Sequence, residues 1–154
     1  MMNSKQDFLT NDFIFHLKHL APDAAGKWGI MNGQQMVEHF TDSIRVVNGQ
    51  QKLPVLYEEA VLQKSREFLM SEKPFRENMR NPLLPETPPA PRNDTMQASI
   101  AELQLELKDL LESFEKDPDL KTENPMFGEL DQEGLIRLLY KHAKHHLRQF
   151  GLDQ

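Results

Sequence analysis

The chain has no cysteine but six histidines: His16, His19, His39, His142, His145 and His146. Imidazole is the commonest metal ligand and the side chain whose charge changes near neutral pH. Three of the six fall close together near the end of the chain, where the spacing predicts a helix. At about 100° per residue, Leu135, Leu139, Ala143, Leu147 and Phe150 form the apolar stripe of that helix. His142 and His146 continue the seam of Leu135 and Leu139, so they are expected to point inward. They stand at i and i+4, on one face and one turn apart. His145 falls beside Lys141 and Arg148, and is expected to face solvent or to support a neighbouring group. On an earlier helix, His39 comes three residues after Met36 and seven before Val46, which puts it in the apolar arc. Glu38 and Arg45 are expected on the opposite side.

Three imidazoles from two helices would then point into one core. Each buried without a partner costs free energy, because a polar group leaves water. A shared divalent cation removes that cost, and two histidines at i and i+4 can chelate one ion. A third histidine from a facing helix gives three protein ligands and leaves positions for water or substrate. That is the pattern of catalytic rather than structural sites. His39, His142 and His146 are therefore the candidate metal ligands. The competing reading of each histidine alone is a satisfied core or border residue. His16, which shares a side of the first helix with Leu9, Phe13 and Leu20, is a weaker candidate for an inward position. Asp42, one turn after His39, could donate to the metal or orient a ligand, against the competing reading of a surface acid. His19 carries no signal.

These residues need helices to position them. The first helical pattern runs from about Lys5 to Leu20, with Phe8, Leu9, Phe13, Phe15, Leu17 and Leu20, and stops before Pro22. The second runs from about Gln34 to Asn48, with Met36, Val37, Phe40, Ile44, Val46 and Val47, and Gly49 stands where a C-terminal glycine cap belongs. A weaker pattern covers Tyr57 to Ser71. Residues 73–93 then carry six of the ten prolines: Pro74, Pro82, Pro85, Pro88, Pro89 and Pro91. Proline at that density excludes helix and central strand. The segment reads as a surface crossover that is free to lid one end of the molecule. A third helix starts near Asp94, where Asp94 and Gln97 have capping-box spacing. Ile100, Leu103, Leu107, Leu110 and Phe114 follow, and Pro118 ends it. The last helix runs from about Asp131 to Phe150, with acids at its start, bases in its later turns and Gly151 behind it. No strand pattern is present. The expectation is an all-α single domain over 1–154: an antiparallel bundle of four main helices with 73–93 as a connector.

Composition narrows the function. The 154 residues are 38% hydrophobic and 27% charged, with a formal net charge of -6. Without cysteine there is no disulfide, thiolate site, iron–sulfur cluster or cysteine nucleophile. The acidic balance argues against nucleic-acid binding. No apolar run reaches the roughly 18 residues of a membrane span, and the first residues lack an apolar signal core. A cytoplasmic location is expected.

The segment Tyr140-Lys141-His142-Ala143-Lys144-His145-His146-Leu147-Arg148-Gln149-Phe150-Gly151 resembles the last helix of the DinB-like superfamily, helical bundles related to the bacterial YfiT-type hydrolases and thiol-dependent transferases. That helix carries two histidines separated by three residues and followed by a glutamine, as His142, His146 and Gln149 are here. Gln35-Met36-Val37-Glu38-His39-Phe40 resembles the segment with the family's first ligand histidine. Trp28-Gly29 and Asn124-Pro125-Met126-Phe127-Gly128-Glu129-Leu130 resemble an uncharacterised branch. That branch has a tryptophan early in its last helix, where this chain has Glu133-Gly134-Leu135. The resemblance implies a DinB/YfiT-like four-helix bundle whose three histidines hold a divalent metal. Zinc or nickel leads, with iron or manganese as further candidates, since all-imidazole sites discriminate poorly among these ions. It implies a hydrolase or thiol-S-transferase acting on a small molecule, with an external low-molecular-weight thiol where a thiol is used. It also allows a homodimer. The alternatives are a non-enzymatic bundle with a methionine-lined pocket (Met31, Met36, Met70, Met79, Met96 and Met126) for a small ligand, or partner docking on an outward stripe of Lys141, Lys144 and Arg148.

Overall fold

A computed structural model describes residues 2–79 and 81–152; Met1, Arg80, Asp153 and Gln154 lie outside the described residues, and with them the ends of the expected 1–154 domain and one position of the connector. The chain is mostly helical, as expected for an all-α protein. A first rod is built from α1 (Met2–Asp7), a π-helical turn (Phe8–Asp12) and α2 (Phe13–Lys18). Then come α3 (Gly33–Val47), α4 (Glu59–Met70), α5 (Met96–Lys116) and α6 (Gln132–Gln149). Between α5 and α6 lies an antiparallel hairpin, β1 (Thr122–Asn124) and β2 (Gly128–Leu130), with Thr122 opposite Leu130. The sequence reading contained no strand. Three-residue strands are too short to show a period of two, and the hairpin is made by its turn. Asn124 Oδ1 accepts from Met126 N at 2.8 Å, and Gly128 takes a φ of 74° that side-chain-bearing residues avoid.

Most of the apolar side chains predicted for the core form one cluster, while Val46 of α3 is half-buried outside it. Leu9, Phe13 and Leu17 of the rod, Met36, Phe40 and Ile44 of α3, Leu103, Leu107 and Leu110 of α5, and Leu135, Ile136 and Leu139 of α6 all lie in it. Helix α3 packs mainly on α5, and the rod and α4 pack on α6. Phe15 departs from the expectation. It is 61% exposed and lies against His16 and His19 on the outer side of the rod.

The helix ends show why α3 and α6 are well fixed. The first backbone N–H groups of a helix lack intrahelical partners. In α3, Gly33 and Gln34 donate to the carbonyls of Ala24 and Pro22, both at 3.0 Å. Asn32 Oδ1 accepts from Gln35 N, and Gln35 Oε1 accepts from Asn32 N, a reciprocal cap the sequence reading missed. A Cβ on Gly33 would meet Ala21 O at 2.4 Å, so only glycine admits this close approach of the loop. In α6, Asp131 Oδ1 accepts from Gly134 N, as its position predicts. The helix ends with Gly151 at φ 70°, Gly151 N donating to Arg148 O and Leu152 N to Leu147 O, the paired bonds of a Schellman motif. Gly134 itself has a packing reason: a Cβ there would lie 3.0 Å from the Leu130 side chain of β2. The cap of α5 is one residue later than expected. Thr95 Oγ1, not Asp94, accepts the amide of Ala98 at 3.1 Å.

The proline-rich crossover has no helix or strand among its described residues, and most of it is exposed. Both of its ends are tied to α3 and α6. At the near end, Lys141 of α6 donates to the carbonyls of Ser71 and Lys73. At the far end, Glu38 of α3 accepts from the amides of Arg92 and Asn93, from Asn93 Nδ2 and from Ser99 Oγ, at 2.8 to 3.1 Å. Lys141 and Glu38 were both expected to face outward, and both are buried. Arg45, also placed on the outer side, is half-buried and bonds Glu102 and Glu106 of α5. The crossover and α5 cover helix sides that would otherwise meet water. Burial raises the Glu38 pKa, but the hydrogen bonds from Arg92, Ser99 and Asn93 outweigh it and hold the carboxyl below its ordinary value.

Replacing Glu38 with alanine strips the acceptor from several inward-facing donors. It should lower unfolding free energy by about 2 kcal/mol in urea titrations. Trypsin should also cut the bond after Arg92 faster. An unchanged midpoint and cleavage rate would show that Glu38 does not hold the crossover.

Candidate metal centre

Helix α3 carries His39 and helix α6 carries His142 and His146, and their packing brings the three imidazoles together. Each offers one ring nitrogen, and the three atoms lie within 4.8 Å of one another. His142 Nε2 is 3.2 Å from His39 Nε2 and 2.7 Å from His146 Nε2. The ring of His39 stands nearly perpendicular to both others, at 84° and 82°. Phe40 stacks on His142 with centroids 4.9 Å apart, fixing that ring from the core side. His146 is buried, while His39 and His142 are half-buried, so the group reaches the surface on one side. These are the three residues that the sequence singled out, and no carboxylate joins them in this group among the described residues.

The tautomers follow from the outer hydrogen bonds. Gln149 Nε2 donates to the carbonyl of Trp28 at 3.0 Å, which turns its Oε1 towards His146 Nδ1 at 2.7 Å. An amide oxygen accepts only, so His146 Nδ1 carries the proton and its Nε2 is bare when the ring is neutral. Each imidazole nitrogen has one in-plane position, filled by a proton or a lone pair. His142 Nε2 can therefore complete a hydrogen bond to one of its two histidine neighbours, not to both. One buried contact stays unmatched in any neutral arrangement, at a cost of about 1–3 kcal/mol. A divalent cation held by His39, His142 and His146 would replace the conflict with one metal bond to each nitrogen. Metal–nitrogen bonds of roughly 2.0–2.1 Å in a tetrahedral site place the nitrogens about 3.3 Å apart. The His39–His142 pair, at 3.2 Å, is close to that separation, the His142–His146 pair, at 2.7 Å, would need to open by about 0.6 Å, and all three nitrogens lie within 4.8 Å of one another.

Electrostatics agree with neutral rings. Burial first, and then the neighbouring His145, push the His39 pKa down to about 4. His142 and His146 are held well below the ordinary imidazole value of 6.5, first by burial and then by the neighbouring histidines. Neutral imidazole is the form that binds a metal.

The remaining candidates are not brought to this group. His145 corrects the expectation of a solvent-facing residue: it is 8% exposed and packs between Trp28 and Phe75, at centroid distances of 5.5 and 6.0 Å. Burial and the Arg148 charge lower its pKa to about 4, against a backbone hydrogen bond at Phe75. The helix arithmetic had its direction right, since it lies beside Lys141 and Arg148. The crossover covers that side. His16 is half-buried beside Phe15, and His19 is exposed with Nδ1 2.8 Å from Phe15 O. Asp42 pairs with Arg92 at 3.2 Å and Arg45 at 3.6 Å, away from the ligand role considered for it. Sequence reasoning noted Gln149 without a role. The available signal was its i, i+3 spacing from His146, which lets the two side chains meet on one face.

Comparison with known proteins finds no matching family model, no matching curated protein and no matching solved structure. The site therefore rests on its own geometry. Among the described residues no helix is long and apolar enough to cross a membrane.

Four imidazoles with lowered pKa values make the fold acid-sensitive. Above pH 6.5 both folded and unfolded chains hold them neutral. Below that value the unfolded chain takes up protons that the folded chain refuses, so stability falls as pH falls towards 4. The lowered carboxyls Glu38 and Glu102 act only below their ordinary value of 4.5, which leaves the window from 6.5 to 4.5 to the histidines. The urea midpoint of metal-free protein should drop steadily across that window. A flat profile would show that the imidazoles titrate normally.

Proposed function

We propose that this chain is a metal-dependent protein in which His39, His142 and His146 hold one divalent cation. The observation that carries the reading is the meeting of three Nε2 atoms around His142, with contacts of 3.2 and 2.7 Å that neutral imidazoles cannot all satisfy. Three ligands without a carboxylate leave positions open to an exchangeable molecule. A cation bound there would lower the pKa of a water or thiol that joins it. The residues of the chain then do the rest. Phe40 and Gln149 hold two of the rings in place, and the half-buried edges of His39 and His142 leave a path to the outside.

The chemistry we infer is hydrolysis or thiol transfer on a small molecule, in a DinB/YfiT-like four-helix bundle in the cytoplasm. Any thiol must come from outside, because the chain has no cysteine. The support for that assignment is the His142, His146 and Gln149 spacing in the last helix and His39 on an earlier one. Zinc or nickel suits an all-imidazole set with open positions best, and iron or manganese fits the same ligands. The substrate is small rather than nucleic acid or membrane, given the net charge of -6. A homodimer is compatible with this reading. Partner docking on a stripe of Lys141, Lys144 and Arg148 loses its main support, because Lys141 is buried under the crossover.

Elemental analysis of untagged protein, purified without chelator, tests the proposal. Near-stoichiometric metal is expected in the wild type and little in the His142→Ala/His146→Ala double variant. His39→Ala should also lose the metal. His145→Ala should retain it while losing stability, since it removes a buried ring between Trp28 and Phe75. No metal in the wild type, even after reconstitution with zinc or nickel, would overturn the reading.

A further inference from the structure

Gln149 is buried, and every polar atom of its side chain has a defined partner. Its Oε1 meets His146 Nδ1 at 2.7 Å, and its Nε2 donates to Trp28 O at 3.0 Å. Its own carbonyl accepts from Lys27 N at 2.7 Å. The loop of residues 26–29 is shaped around it. A Cβ on Gly26 would lie 3.0 Å from Gln149 Cγ, and one on Gly29 would lie 2.9 Å from Gln149 Nε2. Gly29 also takes a φ of 78°, which favours glycine. A backbone carbonyl thus fixes which way the amide points, and the amide fixes which nitrogen of His146 is bare.

We propose that Gln149 is the positioning residue of the metal centre: seated by the loop of residues 26–29, it locks His146 in the Nδ1–H tautomer and aims its bare Nε2 at the cation. This rests on the metal-dependent reading above for its effect on affinity, while the tautomer lock stands on the hydrogen bonds alone. A histidine ligand whose second nitrogen is not held can rotate or present N–H instead of a lone pair. Outer partners of this kind commonly change metal affinity by roughly 10- to 100-fold.

The test uses nitrogen NMR of the histidine rings in metal-free protein, cobalt(II) affinity by chelator competition, and urea midpoints. In the wild type, His146 should show the Nδ1–H signature. Gln149→Met keeps the length but neither bond; it should lose that signature and weaken cobalt binding by about 10- to 100-fold. Gln149→Glu keeps an acceptor for His146 but cannot donate to Trp28. It should lose stability yet preserve the signature and bind cobalt within about threefold of wild type, since the ligand's outer partner is retained. Gly29→Ala, which crowds the amide from the loop side, should weaken cobalt binding although residue 29 lies outside α6. The proposal is overturned if His146 is Nε2–H in the wild type, or if Gln149→Met changes neither tautomer nor affinity. It is equally overturned if all variants lose cobalt only in step with lost stability. If wild-type protein shows the Nδ1–H signature but binds no cobalt, the metal reading fails and the tuning role falls with it, while the lock itself is upheld.

Discussion

Three neutral imidazoles meeting nitrogen to nitrogen between two helices set the terms for the rest of this structure. Such a group tolerates little error in position. A shift of half an ångström of α6 against α3 would change the 3.2 Å contact between His142 and His39. Both helices are accordingly fixed at their ends. Helix α3 has a reciprocal cap and a glycine that lets the preceding loop touch its first turn. Helix α6 has an aspartate cap, a close seat on Leu130 and a glycine-terminated end. The packing of Phe40 on Phe13 and on His142 links the hydrophobic core to the histidine group without a polar intermediary.

The proline-rich crossover belongs to the same arrangement. It leaves the end of α4 under the hold of Lys141 from α6 and returns to α5 under the hold of Glu38 from α3. The two anchoring side chains sit on the two helices that carry the three histidines, one of them next to His39 and the other next to His142. Between these polar anchors, Phe75 is the crossover's buried apolar contact, packed on Phe68 with ring centroids 5.6 Å apart. Charged and amide groups satisfy the backbone that proline leaves without regular partners. The cost is that polar helix sides become buried, and His145 with its neutral ring is the clearest consequence.

Outside this frame the molecule is plain. The π-helical turn in the first rod passes Phe8 against Tyr140 and buries Leu9, so the rod stays in register with α6. The hairpin is tied to α3 through Thr122 and Val47, and to α4 through Arg66 and Phe127. These are packing devices, and none of His39, His142 and His146 lies on them.

The sequence by itself determined most of the helices and which three histidines meet. Apolar residues spaced three and four apart marked the core faces of α3, α5 and α6. The same arithmetic put His39, His142 and His146 on those faces, because side-chain direction on a helix is a local property. Tertiary structure decided what the local pattern cannot contain. Whether a polar side meets water depends on what chain passes over it, so Lys141, His145 and Glu38 became buried against their outward spacing. The hairpin arose from a turn and two anchoring contacts rather than from alternation. The tautomer of His146 came from a carbonyl at Trp28, more than a hundred residues away in sequence, acting through Gln149. Direction around a helix is set by neighbours in the chain, while exposure, hydrogen-bond partners and tautomer are set by neighbours in space.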